Sequence, residues 1–86
     1  MIYAKLFSTI PIETRFVDRF TDGSQLIYQK TSKGSAMLMR IKSENQALLS
    51  LHRVGERRRI SHNDAFPLLV DVLRELPERI DEEKEK

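Results

Sequence analysis

Arg57-Arg58-Arg59 is the sharpest chemical feature of the chain, three guanidinium groups in succession. Each can fork two hydrogen bonds onto a phosphate. On a strand, successive side chains point to opposite faces, so Arg57 and Arg59 share one side and Arg58 joins Ile60 on the other. With Lys30, Arg40, Lys42 and Arg53 they read as a basic stripe across neighbouring strands. Tyr28 and Tyr3 offer rings on which bases stack, each worth about 1–3 kcal/mol, and Phe7, Phe16 and Phe20 do the same if they face outward. The candidate nucleic-acid-binding set is therefore Tyr28, Lys30, Arg40, Lys42, Arg53, Arg57, Arg58 and Arg59. A second account competes with it: the phenylalanines are core, and the arginines keep an edge strand from aggregating.

Other chemistries lack their patterns. His52 and His62 are the only histidines, and neither has HxxxH or HxH spacing, so no metal site is expected. No serine sits in a strand–elbow–helix context, and no catalytic residue is expected. Gly23, Gly34 and Gly55 are isolated turn residues that form no phosphate-cradling loop. Met37 and Met39, at strand spacing, read as core filler. These absences point to a binding protein rather than an enzyme, with no cofactor.

Charge sharpens this reading. Residues 1–60 hold eleven basic and five acidic side chains, a net +6, while residues 61–86 hold four basic and eight acidic ones, a net −4. A total of +2 thus conceals a basic body and an acidic C-terminal third, and the basic part suits a polyanion. Eighty-six residues make one domain, read here as residues 1–77 with a charged tail over residues 78–86. The chain has no cysteine, no apolar run of membrane-spanning length and no secretory pattern at its start, so an intracellular protein is expected, cytoplasmic or nuclear.

The elements that must position these residues follow from two periods. A period near two runs to about residue 61. It predicts strands over Ile2–Ile10, Thr14–Thr21, Gln25–Thr31, Ala36–Lys42, Ala47–Val54 and Arg57–Ser61. Asp22-Gly23-Ser24 and Lys33-Gly34 are short hairpin connections in which glycine can supply positive φ, and such loops force antiparallel neighbours. The period then becomes helical. Asp64 as N-cap places Pro67 within the first turn, and the helix is expected from about Ala65 to Leu76, with Pro77 stopping it. The fold class is α+β: an antiparallel β-meander of five to six short strands followed by one C-terminal α-helix. On that helix the apolar residues fill an arc of about 200°, wider than one sheet face requires. The surplus must meet either the concave side of a strongly curved sheet or a second subunit; the latter predicts a homodimer, with Leu68 and Val70 at the arc's edges as the interface.

The segment Arg58-Arg59-Ile60-Ser61-His62-Asn63-Asp64-Ala65-Phe66, with Leu69 and Leu73, resembles the strand-to-helix junction of the positive-cofactor (whirly-type) single-strand-binding proteins. The resemblance implies strands that bind single-stranded DNA and helices that build a dimer. It departs from the family at Pro67 and in the spacing from Ile60 to Phe66. Pro11-Ile12-Glu13-Thr14-Arg15-Phe16, with Met39-Arg40-Ile41-Lys42, is similar to the charged strands of triphosphate tunnel enzymes. Pro11 stands there where a metal-holding acid is required, and the chain is too short for a closed tunnel of about eight strands. The leading expectation is a small dimeric protein that binds single-stranded DNA or RNA through a basic sheet face. The alternative is an adaptor or inhibitor that recognises a protein through its edge strand or apolar helix.

Overall fold

The computed structural model describes residues 2–74. Where the sequence predicts a strand over Ile2–Ile10, only β1 (Lys5–Leu6) forms, followed by a 3-10 turn at Phe7–Thr9. That turn drives Phe7 and Ile10 into the core, which a straight strand with alternating faces would not do.

The frame of the fold is then set by hairpins. β2 (Arg15–Arg19) leads through Asp22-Gly23-Ser24 into β3 (Gln25–Ser32). In that turn Asp22 Oδ1 accepts from the Ser24 backbone N–H at 2.8 Å, and Gly23 takes a φ of 92° that a side chain would oppose. Lys33-Gly34 leads into β4 (Ser35–Lys42), but Gly34 is not among the residues with positive φ, so the role expected of it is corrected.

The chain departs from expectation after β4. Ala47–Val54 is not a strand. Its first part belongs to α1 (Gln46–Leu51), whose N-cap Asn45 accepts from the Leu48 backbone N–H at 3.1 Å. β5 (Arg57–Arg59) then closes a four-stranded antiparallel sheet in the order β2-β3-β4-β5. β6 (Ala65–Phe66) pairs with β1 as a separate two-stranded sheet.

The expected helix start is also corrected. Ala65 and Phe66 are extended, Leu68 bridges Phe16, and helical backbone, α2, occupies residues 69–74. The Leu68 carbonyl accepts from the N–H groups of Asp71 and Val72, so the first turn opens there and not at Asp64. Pro67 explains the shift: it biases Phe66 toward extended backbone, and its own carbonyl accepts from the Val17 N–H at 2.9 Å. The expected stop at Leu76 and Pro77, and the tail over residues 78–86, lie outside the described residues.

The sheet is covered on both sides. On the inner face Phe16, Leu26, Tyr28, Ala36 and Leu38 pack with Phe7, Ile10 and Leu48. On the outer face Val17 and Ile27 pack under Val72, with Ile2 and Leu69 beside them. The fold is α+β: mostly antiparallel strands in two sheets, with short helical segments. Among the described residues, no helix is long and apolar enough to cross a membrane.

Candidate nucleic-acid interface

Strand register decides which basic side chains share a surface. Directly paired residues of an antiparallel sheet lie on the same face. Arg15 pairs with Gln29, Gln29 with Met37, and Met37 with Arg57, which makes one row across all four strands. Ser35 pairs with Arg59, Ile27 with Arg40, and Gln25 with both Arg19 and Lys42. Arg15, Arg19, Arg40, Lys42, Arg57 and Arg59 therefore occupy the outer face, and no carboxylate occupies a strand position there. Asp18, which is the acid within these strands, pairs with Leu26 on the inner face.

Three members of the expected set are on the inner face instead. Tyr28 is 1% exposed, and its ring stacks on Phe16 with centroids 5.6 Å apart, so it is a core residue and offers no base a platform. Lys30 is 4% exposed. Its Nζ donates to the Phe7 carbonyl at 2.8 Å and sits 4.4 Å above the Phe7 ring. A cation so enclosed holds the 3-10 turn to β3 and is not available to a phosphate. Arg58 pairs with Ala36 on the inner face, and its Nη1 donates to the Tyr28 hydroxyl at 3.3 Å. Arg40, Lys42, Arg57 and Arg59 are on the outer face as the stripe requires, and Arg53 is exposed in the loop before β5.

The inner cluster has its own electrostatics. Burial pushes the Asp18 carboxyl above its ordinary range, while Arg58 and His52 pull it partly back and Asp64 opposes them. Burial likewise pushes the Tyr28 hydroxyl up, against the pull of Arg58. Glu13, within the segment likened to the strands of tunnel enzymes, is exposed in a turn at a φ of 76° and not on a strand. Among the described residues, no three His, Asp or Glu side chains converge as metal ligands.

Arg15 and Arg19 were missed by reading the arginine run alone. The signal was present: with Asp22-Gly23-Ser24 as the hairpin centre, residues 15, 17 and 19 fall on one face of β2. Arg15 is oriented there by its Nε, which donates to Gln29 Oε1 at 3.2 Å. The interface expected on the helix changes too. Leu68 is half-buried against the main core and bridges Phe16, so it is corrected from a contact residue to a packing residue. Val70 remains 52% exposed. Ala65, Phe66 and Leu68 precede the helix and so do not belong to the apolar arc expected of it.

α2 covers the outer face only over Val17 and Ile27. Between it and β4 lies a cleft of about 260 Å³, lined by Arg15, Gln25, Ile27, Met39, Arg40, Lys42, Leu69, Val72 and Leu73. Its floor is aliphatic and its rim carries three cations. Comparison with family models, curated proteins and solved structures finds no match.

Proposed function

We propose that this protein is a non-enzymatic binder of single-stranded nucleic acid that lays the phosphate backbone across the outer face of its four-stranded sheet. The observation that carries the reading is the sorting of charge by register: cations from β2, β4 and β5 on one face, with no strand carboxylate among them. Such a face attracts a polyanion over its whole width and displaces the counterions condensed on its phosphates. Met37 and Met39, both half-buried, lie among these cations. Unpaired bases give such apolar side chains something to meet, whereas a duplex backbone does not. The test is anisotropy of a labelled single-stranded oligonucleotide at two salt concentrations. Affinity should fall steeply with salt, and absence of binding to DNA and RNA at low salt overturns the reading.

One observation favours a second reading, an adaptor. β5 is the edge of its sheet, and the Glu56 carbonyl and Ile60 N–H point inward to Leu38 and Gly34. Alternation then turns the backbone groups of Arg57 and Arg59 outward, where an extended acidic peptide could add a strand. Slowed amide exchange at Arg57 and Arg59 on adding such a peptide, without oligonucleotide binding, would select this reading. Self-association belongs to the first proposal, with the exposed Val70 as its contact. Light scattering of Val70→Asp should then show a monomer where the parent is a dimer, and a monomeric parent removes the dimer.

A further inference from the structure

We infer that the cleft between α2 and β4 receives one unstacked nucleobase, with the phosphates flanking it held by Arg15 on one side and Arg40 and Lys42 on the other. This rests on the reading of the outer face as a nucleic-acid surface and adds where a base goes. Single-strand binders pair a cationic track with surfaces on which bases stack. Here the aromatic residues of the core cannot serve. Phe16 contacts Phe7, Tyr28 and Phe66 at centroid separations of 5.5, 5.6 and 4.8 Å, one closed aromatic cluster on the inner face. Tyr3 and Phe20 are exposed, but neither lines the cleft.

On the outer face the cleft supplies what the aromatics do not. Ile27 pairs with Arg40 and Tyr28 with Leu38, so Met39 is an extra residue at a bulge, without a cross-strand partner. It joins Ile27, Leu69, Val72 and Leu73 in lining the cleft, and its polarizable thioether suits contact with a ring. Leu73 keeps 47% of its surface exposed and lines the cleft together with three cations. The volume of about 260 Å³ lies just below the roughly 300–1,000 Å³ of pockets for drug-sized molecules, a size for one ring system and not for a larger ligand.

Charge and polarity choose the occupant. β2 and β4 are two strand spacings apart, roughly 10 Å, so Arg15 and the Arg40–Lys42 pair straddle the floor instead of crowding one point. That arrangement fits a neutral ring between two anions. Gln25 adds an amide with both donor and acceptor, which matches a base edge. An acidic peptide would satisfy the cations but has no ring edge for that amide.

The test uses the whole chain and two oligonucleotides of one length, one with bases and one with the same phosphates but abasic throughout. The abasic strand should bind about tenfold more weakly at the same salt concentration. Met39→Ala combined with Leu73→Ala should erase most of that difference while leaving the salt dependence intact. Met39→Glu provides a second variant that should abolish the preference through charge alone. Equal affinity for the two strands, with salt dependence retained, overturns the inference and leaves the basic face standing. Failure of both strands to bind overturns both. Binding of polyglutamate as tightly as the base-bearing strand also overturns it, in favour of an acidic peptide.

Discussion

Lys30 shows how a single side chain divides between two roles that a sequence does not distinguish. Its ammonium group and the Ile10 N–H both donate to the Phe7 carbonyl, at 2.8 and 3.1 Å. Lys30→Met keeps the buried stem and leaves that carbonyl one partner, so it should cost about 1 kcal/mol, whereas Lys30→Ala also empties core volume and should cost about 2–3 kcal/mol. Urea unfolding measures both, and oligonucleotide affinity of the folded variants should be unchanged. Loss of affinity in Lys30→Met would return this residue to the binding face. Two aspartates should give opposite pH slopes. For Asp18 the folded pKa is raised by burial, so between the ordinary and raised values the folded chain holds a proton that the unfolded chain has released. Stability then falls as pH rises through that window, and the cost persists to neutrality. For Asp22 the hydrogen bond from Asn45, then those from Ser24, lower the pKa. Its ionised form therefore adds stability above the ordinary value, which is lost as pH falls through the lowered one. Urea midpoints across the acid range should show Asp18→Asn more stable than the parent at neutral pH, and Asp22→Asn less sensitive to acid.

At the scale of elements, α1 hangs on one residue. Asn45 caps the helix through Oδ1 and ties it to the first hairpin through Nδ2, which donates to Asp22 Oδ2 at 2.9 Å. Asn45→Ala should destabilise the fold by about 1 kcal/mol in urea, and Asn45→Asp should recover the cap while losing the bond to Asp22. The hairpins β2-β3 and β3-β4 were legible because glycine-bearing turns interrupt runs with a period of two. α1 was not, since Ala47-Leu48-Leu49-Ser50-Leu51 is a short apolar run whose period fits a helix or a buried strand equally. Ala65 and Phe66 were read as helix because their apolarity suits either element, and the partner that claims them, Lys5–Leu6, lies some sixty residues earlier. The basic face was half legible. Arg40, Lys42, Arg57 and Arg59 were found, but the burial of Tyr28 depends on which face of β3 the 3-10 turn covers, and no local pattern states that. Register also splits the arginine run. Arg58→Ser should lower stability through the lost contact with Tyr28 and leave binding intact, whereas Arg57→Ser with Arg59→Ser should weaken binding without unfolding the chain.

The whole molecule separates its charges: a near-neutral chain of net +2 places six of the eight basic side chains of its four-stranded sheet on one face. Net charge would forecast weak attraction to a polyanion, because a field of +2 spread over the surface is screened within about 10 Å at moderate salt. The local field at the sheet forecasts otherwise. If a single strand engages Arg15, Arg40, Lys42, Arg57 and Arg59, five phosphate contacts release counterions and the logarithm of affinity should fall with the logarithm of salt at a slope of about −3.5. Raising salt from about 50 to 200 mM should then weaken binding about a hundredfold. Arg57→Ser with Arg59→Ser removes two of the five contacts and should reduce the slope to about −2.1, while Arg58→Ser should leave it where it was. A slope set by net charge alone would respond equally to any arginine removed. Titrations of the parent, the double variant and Arg58→Ser against one oligonucleotide therefore decide between them. A change per arginine in Arg58→Ser equal to that in the double variant would mean that charge acts diffusely, and a change confined to the double variant would mean that the strand lies on the outer face.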